Sequence, residues 1–336
     1  MKTLYVVIDP LITDEHSWET HLPSILQGYI ESNNLVNYRV EEISNLEYIK
    51  LLFQKKEITS NDSFIFPNAW TSMTNYIKHW SENYRVTPEM IGFWSRGCYI
   101  NLDSEFRPFR DRNWRKVYER SNFRCLDRSY FIDDYHKEQF RIYVSKRVFP
   151  ERLNVISFPL EYLNLELASF KEMYYKQNMI IFPWNKYTTI HGQIVHDFIR
   201  LFKEYKVVFA QEKSVLPRAQ LLTQIAKSKV AFLPYDAPDI GKEIYECLLL
   251  NTIPLVPDIK GLETKVPEIF RYPPEWTESI LSYTYYADQL TTKIRNFIEE
   301  YEELKPSILS QLHYSYENFY DSEPIVKMIF GDAKRK

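Results

Sequence analysis

Unbroken apolar runs of strand length recur along the chain: TLYVVI (3–8), SFIFP (63–67), MIGFW (90–94), SYFI (129–132), NVISF (154–158), MIIFP (179–183), KVVFA (206–210), KVAFLP (229–234) and TIPLVP (252–257). Continuous rather than alternating, they suit strands buried on both faces of a parallel sheet. Between them lie stretches of helical periodicity, such as HGQIVHDFIRLFKEY (191–205) and LPRAQLLTQIAKSK (216–229). Strand and helix in alternation predict an α/β fold whose sheets are covered by helices. The alternation breaks at PLEYLNLELASFKEMYYKQN (159–178), a polar helical stretch that reads as a linker. Residues 290–330 are helical with no strand after them, and Pro306 interrupts EEYEELKPSILSQL. The pattern predicts two doubly wound, Rossmann-like domains. Residues 1–160 form the first, 161–308 the linker and the second, and 309–336 a terminal helix crossing back to the first.

Length supports this division, because 336 residues exceed what one core usually holds. Hydrophobic residues make up 45% and charged residues 26%, as in soluble globular proteins. No run approaches the ~18 apolar residues of a membrane span. The opening MKTLYVVIDP lacks the long apolar region and cleavage site of a signal peptide, so it reads as a buried first strand. Three widely spaced cysteines, Cys98, Cys125 and Cys247, form neither a disulfide framework nor a zinc pattern, and a reducing cytoplasm fits. Only 7 of the residues are glycine, about 2% where ~7% is usual, so each one is expected to have a backbone role. There is no G-x-G-x-x-G, Walker loop or H-E-x-x-H.

Ligands of open parallel sheets bind beyond the carboxyl ends of the strands, where loops enter helix N-termini. After KVAFLP comes the loop YDAPDI, and the next helix is expected to start near Gly241. Gly241, Lys242 and Glu243 then form its first turn, offering free N–H groups and a cation to a diphosphate. Glu246, one turn on, faces the same crevice, where a carboxylate can accept both hydroxyls of a ribose. Asn251 ends the helix in the left-handed conformation, and TIPLVP returns as a strand. An isolated pair of glutamates three apart is more often a solvated helix face, and that reading is kept for Glu243.

GKEIYECLLLNTIPLVPD (241–258) resembles the donor-binding motif of GT-B glycosyltransferases. Glu246 matches the motif's second glutamate, Gly241 its glycine, and Thr252 to Val256 its strand. The first glutamate falls on Pro238, with Asp236 and Asp239 as neighbouring substitutes. FPLEYL (158–163), IFPWNK (181–186) and IPLVPD followed by YPPEWT (272–277) resemble a phage-encoded branch of these enzymes. Where relatives carry an arginine and a lysine for the diphosphate, this chain has Asn185, leaving Lys186 and His191. The resemblance implies two Rossmann-like domains facing across a cleft, a monomer, and a UDP-linked nucleotide-sugar co-substrate with no cofactor. Transfer would be retaining. No Asp-x-Asp is present, so no metal is expected.

The first half contains FRPFRDRNWRKVYERSNFRCLDR (106–128), where Arg107 to Arg128 include eight basic and three acidic residues in a chain of net charge −3. Arg112, Lys116, Arg120, Arg124 and Arg128 recur every four residues, making a helical stripe beside Arg115, while Trp114, Val117, Tyr118, Ser121 and Cys125 line another face. Such a stripe is a footprint for a phosphate backbone, or else a solvated face or a set of arginines clamping the cleft. Just upstream, GFWSRGCYINLD (92–103) places Trp94, Ser95 and Arg96 between glycines in an exposed loop. Relatives carry a histidine near Ser95, so Ser95, Asp103, Asp9 and His16 are the candidates for the catalytic base. His136 reads as helix surface. The expected acceptor is double-stranded phage DNA bearing hydroxymethylated pyrimidines, reached by base flipping. A carbohydrate or protein acceptor and a catalytically silent binding protein are the alternatives.

Overall fold

The apolar runs become strands of two parallel sheets. The computed structural model describes residues 1–10, 17–94, 109–144, 152–183, 200–210, 216–233, 242–274 and 285–331. The chain divides into two units, Met1–Tyr162 with Phe319–Lys336, and Leu163–Asn318.

In the first unit the elements run β1 (Lys2–Val7), α1 (Trp18–Ser32), β2 (Tyr38–Ile43), α2 (Leu46–Gln54), β3 (Ser63–Phe66), α3 (Met73–Tyr84), β4 (Glu89–Phe93), α4 (Phe109–Cys125), β5 (Arg128–Phe131), α5 (Asp134–Val144) and β6 (Leu153–Val155). The strands pair in the order β2-β1-β3-β4-β5-β6, and every pairing is parallel. Winding runs outward from β1 to β2, then reverses to β3 on the other side, so a switch point lies between β1 and β3. Aromatic packing fills the core: Tyr5 stacks on Phe64 at 5.0 Å, and Trp94 lies parallel to Phe131 at 6.2 Å. Side chains of this size each contribute about 1.5–3 kcal/mol when fully buried. Gly92 has a specific task in β4, because a Cβ there would lie 2.3 Å from a methyl of buried Leu126. Only a missing side chain lets the strand approach the end of α4 this closely.

In the second unit come α6 (Tyr162–Met173, starting on the last residue of the first unit), β7 (Gln177–Phe182), β8 (Lys206–Phe209), α7 (Arg218–Lys227), β9 (Ser228–Phe232), α8 (Lys242–Leu249) and β10 (Ile253–Pro257). A 3₁₀ turn (Glu268–Phe270), β11 (Arg271–Tyr272), α9 (Tyr285–Glu299) and α10 (Tyr301–Ser315) complete it. The order β11-β10-β9-β7-β8, again all parallel, repeats the winding of the first sheet and puts its switch point between β7 and β9. After a turn at 316–320 the chain rejoins the first unit and ends its described part with α11 (Glu323–Phe330).

Several expectations are corrected. YRVEEI forms β2 although it alternates and carries charge, because it is an edge strand in which only Ile43 is buried. Pro306 lies inside α10 and does not end it. The break falls at Glu300, and the carbonyl that Pro306 cannot serve belongs to Glu302 in the first turn, where it can tilt outward. Trp94 is not in an exposed loop. It is 1% exposed and packs against Phe131 and Phe140. His136 is buried rather than on the helix surface, with its N–H donating to the N-cap Asp133 at 2.8 Å and its ring Nδ1 2.6 Å from the same oxygen. Val117 is 65% exposed and does not join the packing face of α4, where Tyr118, Ser121 and Cys125 lie as expected and Asn122 and Phe123 are buried beside them.

Candidate functional site

Helix α8 starts at Lys242 and is the next described element after β9, which borders the switch point. Its apolar residues Ile244, Tyr245, Cys247 and Leu248 are buried, and so is Glu246, at 2% exposure. A carboxylate so enclosed needs cationic partners. Arg218, first residue of α7, places Nη1 at 2.8 Å from Glu246 Oε1, and Lys242 Nζ lies 3.9 Å from the same atom. The remaining edge of the Arg218 guanidinium forks onto Glu166 of α6, with Nε and Nη2 each donating at 3.0 Å to one carboxylate oxygen. Burial works against the charge on Arg218, but the two carboxylates more than offset it and hold the guanidinium protonated more firmly than usual. Glu243 is half-buried. Burial pushes the neighbouring Cys247 thiol well up, so it is an inert core group.

The end of α8 is closed by Asn251 at φ 55°. The N–H of Thr252 donates to the Cys247 carbonyl at 2.7 Å and that of Asn251 to the Leu248 carbonyl at 3.1 Å, which together make a Schellman motif. The Asn251 carbonyl then accepts from Tyr301 Oη, and Thr252 Oγ1 donates to the Ile225 carbonyl at 2.7 Å. Lys176 Nζ reaches Thr252 Oγ1 and the Ser228 carbonyl, both at 2.7 Å. These contacts fix where the helix ends and β10 begins. Gly241, Asp239, Lys186 and His191, the other expected donor ligands, lie outside the described residues.

In the first unit, Asp9 follows β1 and Asn68, Trp70 and Thr71 follow β3, so together they border that switch point. Asp9 is 7% exposed and accepts from Thr71 Oγ1 at 2.6 Å. Asn122 Nδ2 of α4 donates to the carbonyls of Ala69 and Thr71 at 2.9 and 3.1 Å and so braces the loop. The ring of Tyr118 lies 6.3 Å from that of Trp70, and burial raises its phenol pKa. Three buried donors at this edge, Asn68 Nδ2, Trp70 Nε1 and Trp94 Nε1, have no acceptor among the described residues. Such groups are costly unless something supplies an acceptor. Ser95, Arg96, Asp103 and His16 lie outside the described residues.

The basic stripe follows α4. The side chains of Arg112, Arg115 and Lys116 are outside the description, whereas Arg120 and Arg124 are exposed. Arg128 has left the helix for β5 and pairs with Glu89 at 2.5 Å. Among the described residues no group of three or more His, Cys, Asp or Glu side chains could hold a metal ion, and no helix is long and apolar enough to cross a membrane.

Sequence reasoning singled out Glu246 and Lys242 as candidates, but not Arg218 or Glu166, which lie beside Glu246. Their residue types carry no local signal, and only the fold brings them to Glu246 from two other helices.

No protein-family model matches the chain, and no curated protein matches its sequence. Solved structures do match in shape. The pneumococcal O-GlcNAc transferase GtfA, solved in complex with UDP and GlcNAc, aligns with a TM-score of 0.51 at 9% identity over 87% of this chain; the alignment spans only 59% of GtfA. Sucrose-phosphate synthase from Thermosynechococcus elongatus aligns at 0.52 and 11% identity, over 94% of this chain and 98% of that one. WaaG, a glycosyltransferase involved in lipopolysaccharide biosynthesis, aligns at 0.53 and 11% identity, over 98% of this chain and all of its own. Two parallel-sheet, Rossmann-like α/β domains in one chain, wound alike and matched by these structures, are the GT-B fold.

Proposed function

We propose that the protein is a glycosyltransferase that moves a sugar from a nucleoside-diphosphate donor, UDP-linked, to a hydroxyl acceptor. The observation that carries this reading is Glu246. A buried carboxylate paired with Arg218, on the helix entering the second sheet's switch point, is the group a ribose would need. The bond from the anomeric carbon to the donor phosphate breaks, a bond to the acceptor oxygen forms, and the acceptor proton passes to a base. Charge on the departing diphosphate would be met by Lys242 and the positive end of the α8 dipole, with Gly241, Asp239, Lys186 and His191 as further ligands. Transfer on this reading is retaining and independent of metal. UDP in the GtfA complex and the glycosyltransferases among the structural matches support the donor class.

For the acceptor, the first unit offers Asp9 as a candidate base and the unpartnered donors of Asn68 and Trp70 for its hydroxyls. The exposed Arg120 and Arg124 support double-stranded DNA bearing 5-hydroxymethylated pyrimidines, held by its phosphates. A carbohydrate acceptor is the second reading, favoured by Arg128, whose charge is already taken by Glu89.

The test incubates the protein with a panel of nucleotide sugars and DNA containing 5-hydroxymethylcytosine, digests the DNA, and weighs the nucleosides by mass spectrometry. A hexose or pentose mass added to the modified nucleoside is expected. Transfer should fall steeply with salt, and Arg120→Ala with Arg124→Ala should lower the slope of log affinity against log salt by about 2. Transfer to free sugars with no DNA product would overturn the DNA reading, and heat from no nucleoside diphosphate in calorimetry would overturn the enzyme.

A further inference from the structure

Arg218 stands at the junction of three helices. Its Nε and Nη2 grip both oxygens of Glu166 on α6, and its Nη1 meets Oε1 of Glu246 on α8. The fork uses the planar guanidinium along one edge, which fixes the plane, so Nη1 can meet Glu246 from one direction only. Lys242 addresses the same oxygen, Oε1. Both cations therefore make their ion pair with the same oxygen of Glu246. Charges in the cluster balance, with two carboxylates against two cations. Removing Arg218 would leave Glu246, 2% exposed, with Lys242 at 3.9 Å as its described cationic contact.

We propose that Arg218 is a positioning residue for the nucleotide-sugar donor: clamped by Glu166, it sets the rotamer of Glu246, so that the carboxylate is presented to the ribose hydroxyls. The proposal rests on the reading of Glu246 as a ribose ligand. Glu166 has an indirect part, as the anchor of the guanidinium. A structural ion pair would tie the helices together without affecting which sugar hydroxyls the site distinguishes, and the test exploits this difference.

Dissociation constants of the full chain are measured calorimetrically for UDP, GDP, ADP and CDP, each against its 2′-deoxy counterpart. The ratio of deoxy to ribo constants reports the hydroxyl contact alone. The wild type is expected to favour the ribonucleotide roughly ten- to a hundredfold, the value of a hydrogen bond to a charged group. Arg218→Met should bring the ratio close to one. Arg218→Lys should restore part of it, since an ammonium keeps the charge but not the fork, and Glu166→Gln should lower it less than Arg218→Met does. A wild-type ratio in Arg218→Met overturns the proposal. If that variant does not fold, judged by its melting transition, a wild-type ratio in both Arg218→Lys and Glu166→Gln overturns it instead. Glu246→Gln separates the two levels of inference. If it keeps the wild-type ratio, the ribose reading falls and the Arg218 proposal with it. If it loses the ratio while Arg218→Met keeps it, only the Arg218 proposal falls.

Discussion

The cap at Asn251 gives a prediction whose sign follows from its backbone conformation together with its buried side-chain oxygen. At φ 55° a non-glycine residue carries the close approach of Cβ to the carbonyl oxygen, which costs about 1–2 kcal/mol in general and less for asparagine. Oδ1 of Asn251 is also buried with no hydrogen-bond partner among the described residues, a defect worth about 1 kcal/mol or more. Asn251→Gly removes both costs. Against this stands the extra freedom of glycine in the unfolded chain, about 0.5–1 kcal/mol. The net expectation is a gain of about 1 kcal/mol, or about 3 °C in melting temperature for a domain of this size. Asn251→Val brings a β-branched side chain into the same conformation and should lose about 2 kcal/mol. Differential scanning calorimetry and urea denaturation followed by circular dichroism read both variants. The backbone bonds from Thr252 and Asn251 survive in each, so any difference belongs to the side chain. Valine as stable as asparagine, or glycine less stable, would refute the reasoning and mean that the asparagine side chain makes a stabilising contact.

Two further outcomes are expected. Gly92→Ala would drive a methyl against Leu126 and should cost about 1–3 kcal/mol of stability, seen as a lower urea midpoint, and an unchanged midpoint would mean that α4 yields freely. Burial pulls the Lys176 ammonium down to about 7, whereas the unfolded lysine titrates near ~10.4, so between those values the unfolded chain holds a proton that the folded one has released. Stability should therefore climb as pH rises from about 7 toward 10, and Lys176→Met should flatten that climb; matching slopes in the two proteins would refute the assignment.

What could be read from the sequence depended on how far each feature was local. Phe64, Ile65 and Phe66 announce β3 because a strand buried on both faces needs apolar residues at consecutive positions. β2 gave no such signal, since an edge strand tolerates the charges of YRVEEI, and β11 has only two residues. Asn251 was legible because asparagine is a common substitute for glycine at a left-handed cap. The error at Trp94 has a physical origin: flanking glycines suggest a loop, but Gly92 is there to let Leu126 approach, and the tryptophan behind it completes the core. His136 was misplaced because a histidine at the third position of a helix can fold back onto its N-cap carboxylate, which no periodicity reveals. Glu246 could be found from its neighbours along the chain. Arg218 could not, because its two partners lie on helices before and after its own, and a single arginine after a proline reads as ordinary helix surface.

The return of the chain to its first unit bears on the order of synthesis. The Phe158 N–H donates to the Phe319 carbonyl at 2.8 Å, the Leu160 N–H to that of Tyr320 at 3.1 Å, and Glu161 receives both the N–H and the hydroxyl of Ser322. Phe330 stacks on Tyr29 and meets Tyr38 edge-on, covering α1 and β2. Yet residues 319–330 leave the ribosome only after all of the second unit has been made. The first unit must therefore wait through more than 150 residues of translation with that apolar face uncovered. A nascent chain stalled anywhere in the second unit would present the same face, a surface on which a ribosome-associated chaperone could act.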